Sequence, residues 1–155
     1  MDYFLSLRML HILAAVVVAG TGTGIAFFMF VAWRSRKPVV IAHTARIVVL
    51  ADWIFTAPAV LIQLVSGVLL MQRLGYSFSS DWFIRVAGLF VFIGLCWIPV
   101  VVIQYRLREV ASRMTDRVAP EFDRLMKYWV ALGVPAFSAI LVVFWLMVFR
   151  PYPVY

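Results

Sequence analysis

The side chains best suited to chemistry in this sequence gather at one end of its apolar segments: His11, Arg8 one turn before it, Arg85, and Gln63. Neutral imidazole is a common metal ligand, and arginines bind carboxylates through two parallel hydrogen bonds. Together such groups can hold an iron porphyrin by its metal and its propionates. Ala14, Ala15, Val18 and Gly22 follow His11 along one stripe, a column of small side chains that leaves either a close helix contact or room for a flat ligand. A second stripe runs through Asp52, Thr56, Ala59, Gln63 and Gly67, because positions eleven apart return to nearly the same direction after three turns. Asp52 is the one acid inside an apolar run. Its expected fate is a structural hydrogen bond or ion pair, with Gln104, Arg46 or Arg106 as partner, and a proton-relay role stands as the sharper reading.

Four apolar stretches must position these groups: Met9 to Trp33, Ile47 to Met71, Val86 to Ile103 and Trp129 to Phe149. Roughly 20 apolar residues carry a helix across a hydrocarbon core about 30 Å thick. Backbone groups in lipid must be bonded internally, so each stretch is expected to be a helix. The composition agrees, with 65% hydrophobic and only 14% charged residues, far from the balance of a soluble domain. The expected fold is an all-α, up-and-down bundle of four transmembrane helices in a single domain over residues 1–155. Its membrane helices are expected at about 7–33, 45–72, 82–106 and 126–149, with helices 3 and 4 extended into the cytoplasm.

The net charge of +7 is distributed by topology. Arg34, Arg36, Lys37 and Arg46 surround the first connection, and Arg106, Arg108, Arg113, Arg117, Arg124 and Lys127 the third. The other basic residues, Arg8, Arg73, Arg85 and Arg150, lie at or near the opposite helix ends. The positive-inside rule makes both basic connections cytoplasmic and both termini external. The charge then serves orientation and attraction to anionic lipid, not nucleic-acid binding. The first apolar run is too long for a signal-peptide core and is closed by Arg34, Ser35, Arg36 and Lys37, so it is expected to remain as the first membrane helix.

Several residues carry two readings. Gly20 and Gly24 have the spacing that lets two helix backbones approach closely, with a cofactor groove as the alternative. A phosphate loop is excluded, since these glycines lie in mid-membrane with no preceding strand. His43 is expected at the cytoplasmic end of helix 2, about a membrane thickness from His11, which argues against both histidines binding one iron. Cys96 is the only cysteine, so no intrachain disulfide forms. Pro58, Pro99 and Pro135 are expected to kink helices 2, 3 and 4. Trp33, Trp82 and Trp129 suit the membrane interfaces, while Trp97 and Trp145 are expected to find hydrogen-bond partners inside the bundle. Ser80 or Asp81 is expected to cap helix 3, and Pro120 to open helix 4. No nucleophile–base pair, zinc motif or nicotinamide fingerprint is present, which makes a soluble-type hydrolase, kinase or dehydrogenase improbable.

The run Leu7-Arg8-Met9-Leu10-His11-Ile12-Leu13, the glycine-rich middle of helix 1, Ala57-Pro58-Ala59, Ser66-Gly67-Val68-Leu69 and Trp82-Phe83-Ile84-Arg85 resemble the pattern of a broad bacterial superfamily. That superfamily includes HemJ-type protoporphyrinogen oxidases and CopD-type copper-resistance membrane proteins. Cys96-Trp97-Ile98-Pro99, Gln104, Pro135-Ala136-Phe137 and Leu146-Met147-Val148 are similar to an uncharacterised family of integral membrane proteins, a domain of unknown function. The resemblance implies a multi-pass protein of the bacterial plasma membrane that binds haem b, with His11 in the place of the helix 1 histidine. It also implies Pro58 and Gly67 in the helix 2 positions, and Arg85 where HemJ-type relatives carry lysine. Phe83-Ile84 replaces a further histidine of that pattern, so a sixth iron ligand would be Met71, Met147, water or another subunit.

Two classes of function follow as expectations. One is a haem-binding redox protein with Arg8 and Arg85 near the propionates. The other is a cofactor-free assembly or transport-associated subunit, possible as a homo-oligomer or with a membrane partner. A copper role rests on Met9, His11 and the CopD likeness, and needs three or more ligands that the sequence scarcely supplies.

Overall fold

The computed structural model describes residues 3–149. Helix α1 spans Tyr3–Ser35, α2 runs on from Pro38 to Arg73, α3 covers Asp81–Ser112 and α4 Pro120–Val148. Each is long and apolar enough to cross a membrane, and no strand occurs among the described residues. The chain is an all-helical four-helix bundle, as expected. Arg150, counted above at the outer end, lies outside the described residues.

Local chemistry explains the boundaries. Pro38 does not merely separate α1 from α2; it is the first residue of α2, where its missing N–H is no loss. Pro120 opens α4 in the same way, with Glu121 and Asp123 in the first turn facing the positive end of the helix dipole. Ser80 caps α3 by accepting a hydrogen bond from the Phe83 N–H. Gly75 closes α2 at φ +69°, and the Tyr76 N–H returns to the Met71 carbonyl, a closure that favours glycine.

The interior of α2 departs from a regular helix. Asp52–Thr56 forms a π turn, closed by the Ala57 N–H on the Asp52 carbonyl. Pro58 follows directly and cannot donate to the preceding turn, so the widened turn relieves the clash that its ring would make with a regular α carbonyl. The proline therefore acts through an added residue in the turn. Pro99 and Pro135 lie inside α3 and α4, both continuous helices.

The packed core lies in the half of the bundle nearest the basic connections. Met29, Ile41, Leu107, Phe122 and Met126 are sealed there, and Ala32, Ala45 and Ala111 let the backbones approach. Lipid is as apolar as these side chains, so close van der Waals packing and small contact residues, more than water exclusion, hold such a core. Trp129, expected at the interface, is buried in this core instead. Trp145 faces outward against Phe149, contrary to the expectation of an internal partner. The Trp97 indole N–H is buried without a hydrogen-bond partner.

Toward the other end the bundle resolves into two pairs. The second half of α2 packs on α1, and α3 packs on α4, with little packing between the pairs. The Trp82 indole N–H donates to the Leu146 carbonyl at 2.8 Å and ties α3 to α4. The Arg73 guanidinium lies over the Tyr3 ring at 5.2 Å and ties α2 to α1. The glycines of α1 do not serve either pair. A methyl group added at Gly20, Gly22 or Gly24 would meet nothing within 4 Å, so the close intrachain contact expected from their spacing is absent.

At the basic end a polar clamp joins the first connection to α4. Arg36 grips Asp123 with two hydrogen bonds, of 2.6 and 2.9 Å, and Trp33 donates to the same carboxylate at 2.6 Å. Arg36 sits at φ +55°, a left-handed conformation more usual for glycine, and its fork onto Asp123 explains the arginine there. Asp123 precedes the apolar stretch of α4. The Arg36 guanidinium, helped by Trp33, holds its carboxyl below the usual carboxylate range.

A carboxyl depressed in the folded state contributes stability above its unfolded pKa and loses it as pH falls through the folded value. Unfolding in detergent is therefore expected to ease in acid for the native chain, with a weaker acid dependence in Asp123→Asn. Packing gives a second expectation for the same assay. Ala45→Leu overfills the core and costs about 1–3 kcal/mol, whereas Gly24→Ala leaves the thermal midpoint unchanged or raised.

Candidate functional site

The stripe on α2 faces inward as its spacing requires. Asp52, Thr56 and Ala59 are buried, and Gln63 and Gly67 are half-buried. His11 of α1 meets this stripe directly. Its Nδ1 lies 2.8 Å from Ser66 Oγ, and Gln63 Nε2 lies 2.9 Å from its Nε2. Beneath the ring is Gly67, where an added methyl would approach Cε1 to 3.3 Å. The absence of a side chain at this position is what lets the imidazole lie against α2.

With the Gln63 amide N–H turned toward the ring, His11 Nε2 accepts and Nδ1–H donates to Ser66 Oγ. Ser66 in turn donates to the Ile62 carbonyl at 2.5 Å. The result is a directional chain from imidazole N–H to hydroxyl to backbone carbonyl, ending in a carbonyl that can only accept. Gln63 Oε1 is left buried without a partner, so the amide gains nothing further from its surroundings.

Ser66 is the residue that the sequence reading missed as a site member. It stands within an apolar motif, and a serine in a membrane helix ordinarily bonds back to its own turn, as this one does. Its position three residues after Gln63 was the available signal, since that spacing puts both on one face.

Other expected members are placed apart. Arg8 and Arg85 are exposed, on different helix pairs, and neither has an ion pair or hydrogen bond with His11. Gly22 is about three turns along α1 from His11 and faces open space. Met71 is buried one turn beyond Gly67 on α2, whereas Met147 is half-buried on α4. His43 is exposed in the early turns of α2, at the opposite end from His11, as expected. No three His, Cys, Asp or Glu side chains converge among the described residues.

A second polar cluster occupies the middle of the bundle. Asp52 lies beside Thr56 and Gln104, and all three are buried. Gln104 is thus the expected partner, while neither Arg46 nor Arg106 forms an ion pair with Asp52. Asp52 Oδ2, Thr56 Oγ1 and Gln104 Oε1 each lack a partner by strict hydrogen-bond geometry, so the cluster is close but incompletely satisfied. Such groups are costly in a low-dielectric interior, and a π turn at this level offers backbone that is not fully committed to the helix.

The chain belongs to the family described as "Predicted integral membrane protein (DUF2269)", whose model matches residues 5–151. Neither the curated proteins nor the solved structures contain a match to it.

The directional chain makes a specific stability prediction. Ser66→Ala strands the buried Nδ1–H of His11 and is expected to cost about 1–3 kcal/mol. Histidine 15N spectra of that variant should show the ring tautomer redistributed, which simple loss of packing would leave unchanged.

Proposed function

We propose that this integral membrane protein binds haem b in the outer half of the bundle and serves a redox role, with His11 Nε2 as axial ligand to the iron. The observation that carries this reading is the Nδ1–H to Ser66 to Ile62 chain. Metal-bound histidines almost always donate their other ring N–H to an acceptor, which fixes the tautomer and aims the remaining lone pair. His11 has that arrangement within the helix pair itself.

The donor set fits such a group in kind. Gly67 supplies a cradle beneath the imidazole, and Gln63 is the one residue that must turn aside to release Nε2. Its unpartnered Oε1 keeps it from being tightly held. Arg8 and Arg85 are exposed cations at the same end for the propionates, and the buried Met71 or Met147 is the second-ligand candidate. Bound haem supplies one-electron transfer. The resemblance to the HemJ and CopD superfamily supports this choice of cofactor, and the bacterial inner membrane with external termini is its proposed setting. The copper reading has less support, because a copper site needs several converging donors.

A second reading is favoured by two observations. Both His11 nitrogens are already hydrogen-bonded within the chain, and the Gly20–Gly24 face is bare. A cofactor-free assembly subunit would use His11 to clasp α1 to α2, and the glycine face to meet another helix or a second copy.

A visible spectrum of the purified protein, expressed with adequate haem, separates the two. The haem reading expects a Soret band that shifts on reduction, is lost in His11→Ala, and is retained or strengthened in Gln63→Leu, where Nε2 is released. No Soret band would leave the assembly reading in possession, and a band indifferent to His11→Ala would overturn His11 as the iron ligand.

A further inference from the structure

We propose that the groove between α2 and α3 at the basic end binds the phosphate of an anionic phospholipid headgroup. The groove has a volume of about 420 Å³ and is lined by Arg46, Tyr105, Arg108, Glu109 and Ser112. Its depth follows from the sequence: Arg46 immediately precedes the apolar run that starts at Ile47, and Tyr105 follows soon after the run that ends at Ile103. The groove therefore opens where hydrocarbon gives way to headgroups.

Its donors are preset for an anion. Arg46 and Arg108 form no ion pair with any described acid. Arg108 is held over the Tyr105 ring at 4.8 Å, a cation–π contact that places its charge at the groove. The Tyr105 hydroxyl accepts from Trp53 Nε1 at 2.6 Å and retains its own proton to donate. Glu109 is the one acid in the lining, and Arg113 neutralises it with a contact of 2.5 Å. Ser112 is spent on the Glu109 carbonyl. Two guanidiniums from separate helices and one phenol thus face a site with its negative charge already compensated, a set suited to phosphate oxygens.

The apolar surface below the groove identifies the ligand as a lipid and not a solute. On α2, Arg46 is followed at helical spacing by Leu50 and Trp53, which are 57% and 59% exposed. On α3, Tyr105 is preceded at the same spacing by Val102 and Ile98, which are 52% and 61% exposed. These side chains form two apolar walls running from the groove toward the middle of the membrane. A phosphate held between Arg46 and Arg108 would have its acyl chains lying along them, and would bridge the first helix pair to the second.

The test uses the full chain in neutral detergent, titrated with phosphatidylglycerol or with phosphatidylcholine of the same acyl chains, and read by native mass spectrometry and thermal unfolding. Phosphatidylglycerol is expected to bind preferentially and to raise the midpoint. Arg46→Gln and Arg108→Gln should each weaken it about fivefold, near the effect of one basic residue at a membrane surface. Arg108→Lys should recover only part of the loss, because the charge returns without the fork. Arg117→Gln, in the loop and outside the groove, should change little. Equal retention of both lipids, an equal loss in Arg117→Gln, or full displacement by inorganic phosphate at matched concentration would overturn the proposal. The last outcome would assign the groove to a soluble anion.

Discussion

Polar contacts between side chains on neighbouring helices organise the molecule. His11 finds Gln63 and Ser66, which sets how α1 lies on the second half of α2. Gly67 exists in that contact as an absence of bulk, and the imidazole fills it. At the other end, beyond the apolar stretches, Trp33 and Arg36 bond Asp123 and fasten α4 to the first connection. Between them lies an apolar core that could slide or rotate at little cost in lipid, and the polar contacts give it one register.

The two ends consequently differ in character. The basic half is a tightly packed four-helix core with an ion-pair clamp and a groove lined by arginines. The opposite half is two helix pairs, each tied internally, by Arg73 on Tyr3 and by Trp82 on Leu146. Under the proposed function a cofactor would meet that half, where His11 lies, and a partner helix would meet the uncovered glycine face in the middle of α1. Lipid would act at the basic half, where the pairs are already joined. The Asp52, Thr56 and Gln104 cluster lies between these regions, with Asp52 and Thr56 at the two ends of the π turn that Pro58 accompanies.

Much of this was legible in the sequence, because membrane solvation leaves few options. Apolar length gave the four helices, the eleven-residue recurrence gave the inward stripe on α2, and similar depth gave Gln104 among the candidate neighbours of Asp52. Proline and serine chemistry gave the starts of α3 and α4. What the sequence concealed was mostly relational. The spacing of Gly20 and Gly24 reads as a helix contact, but spacing cannot say whether another helix of the same chain lies there, and none does. Trp129 and Trp145 were assigned by depth, whereas burial depends on which face of α4 they occupy. Ser66 was hidden by its ordinary backbone bond, and the π turn by the fact that Pro58 predicts a disturbance without its form.

The central claim is that the α1–α2 pair holds His11 with Nδ1 protonated toward Ser66 and Nε2 unprotonated, accepting from Gln63. Solid-state NMR of histidine-15N-labelled protein in lipid bilayers, with dipolar transfer from the imidazole to Ser66, measures this directly. A protonated Nδ1 coupled to Ser66, beside an unprotonated Nε2, is the predicted result. A proton on Nε2, or a ring with no proximity to Ser66, would contradict it.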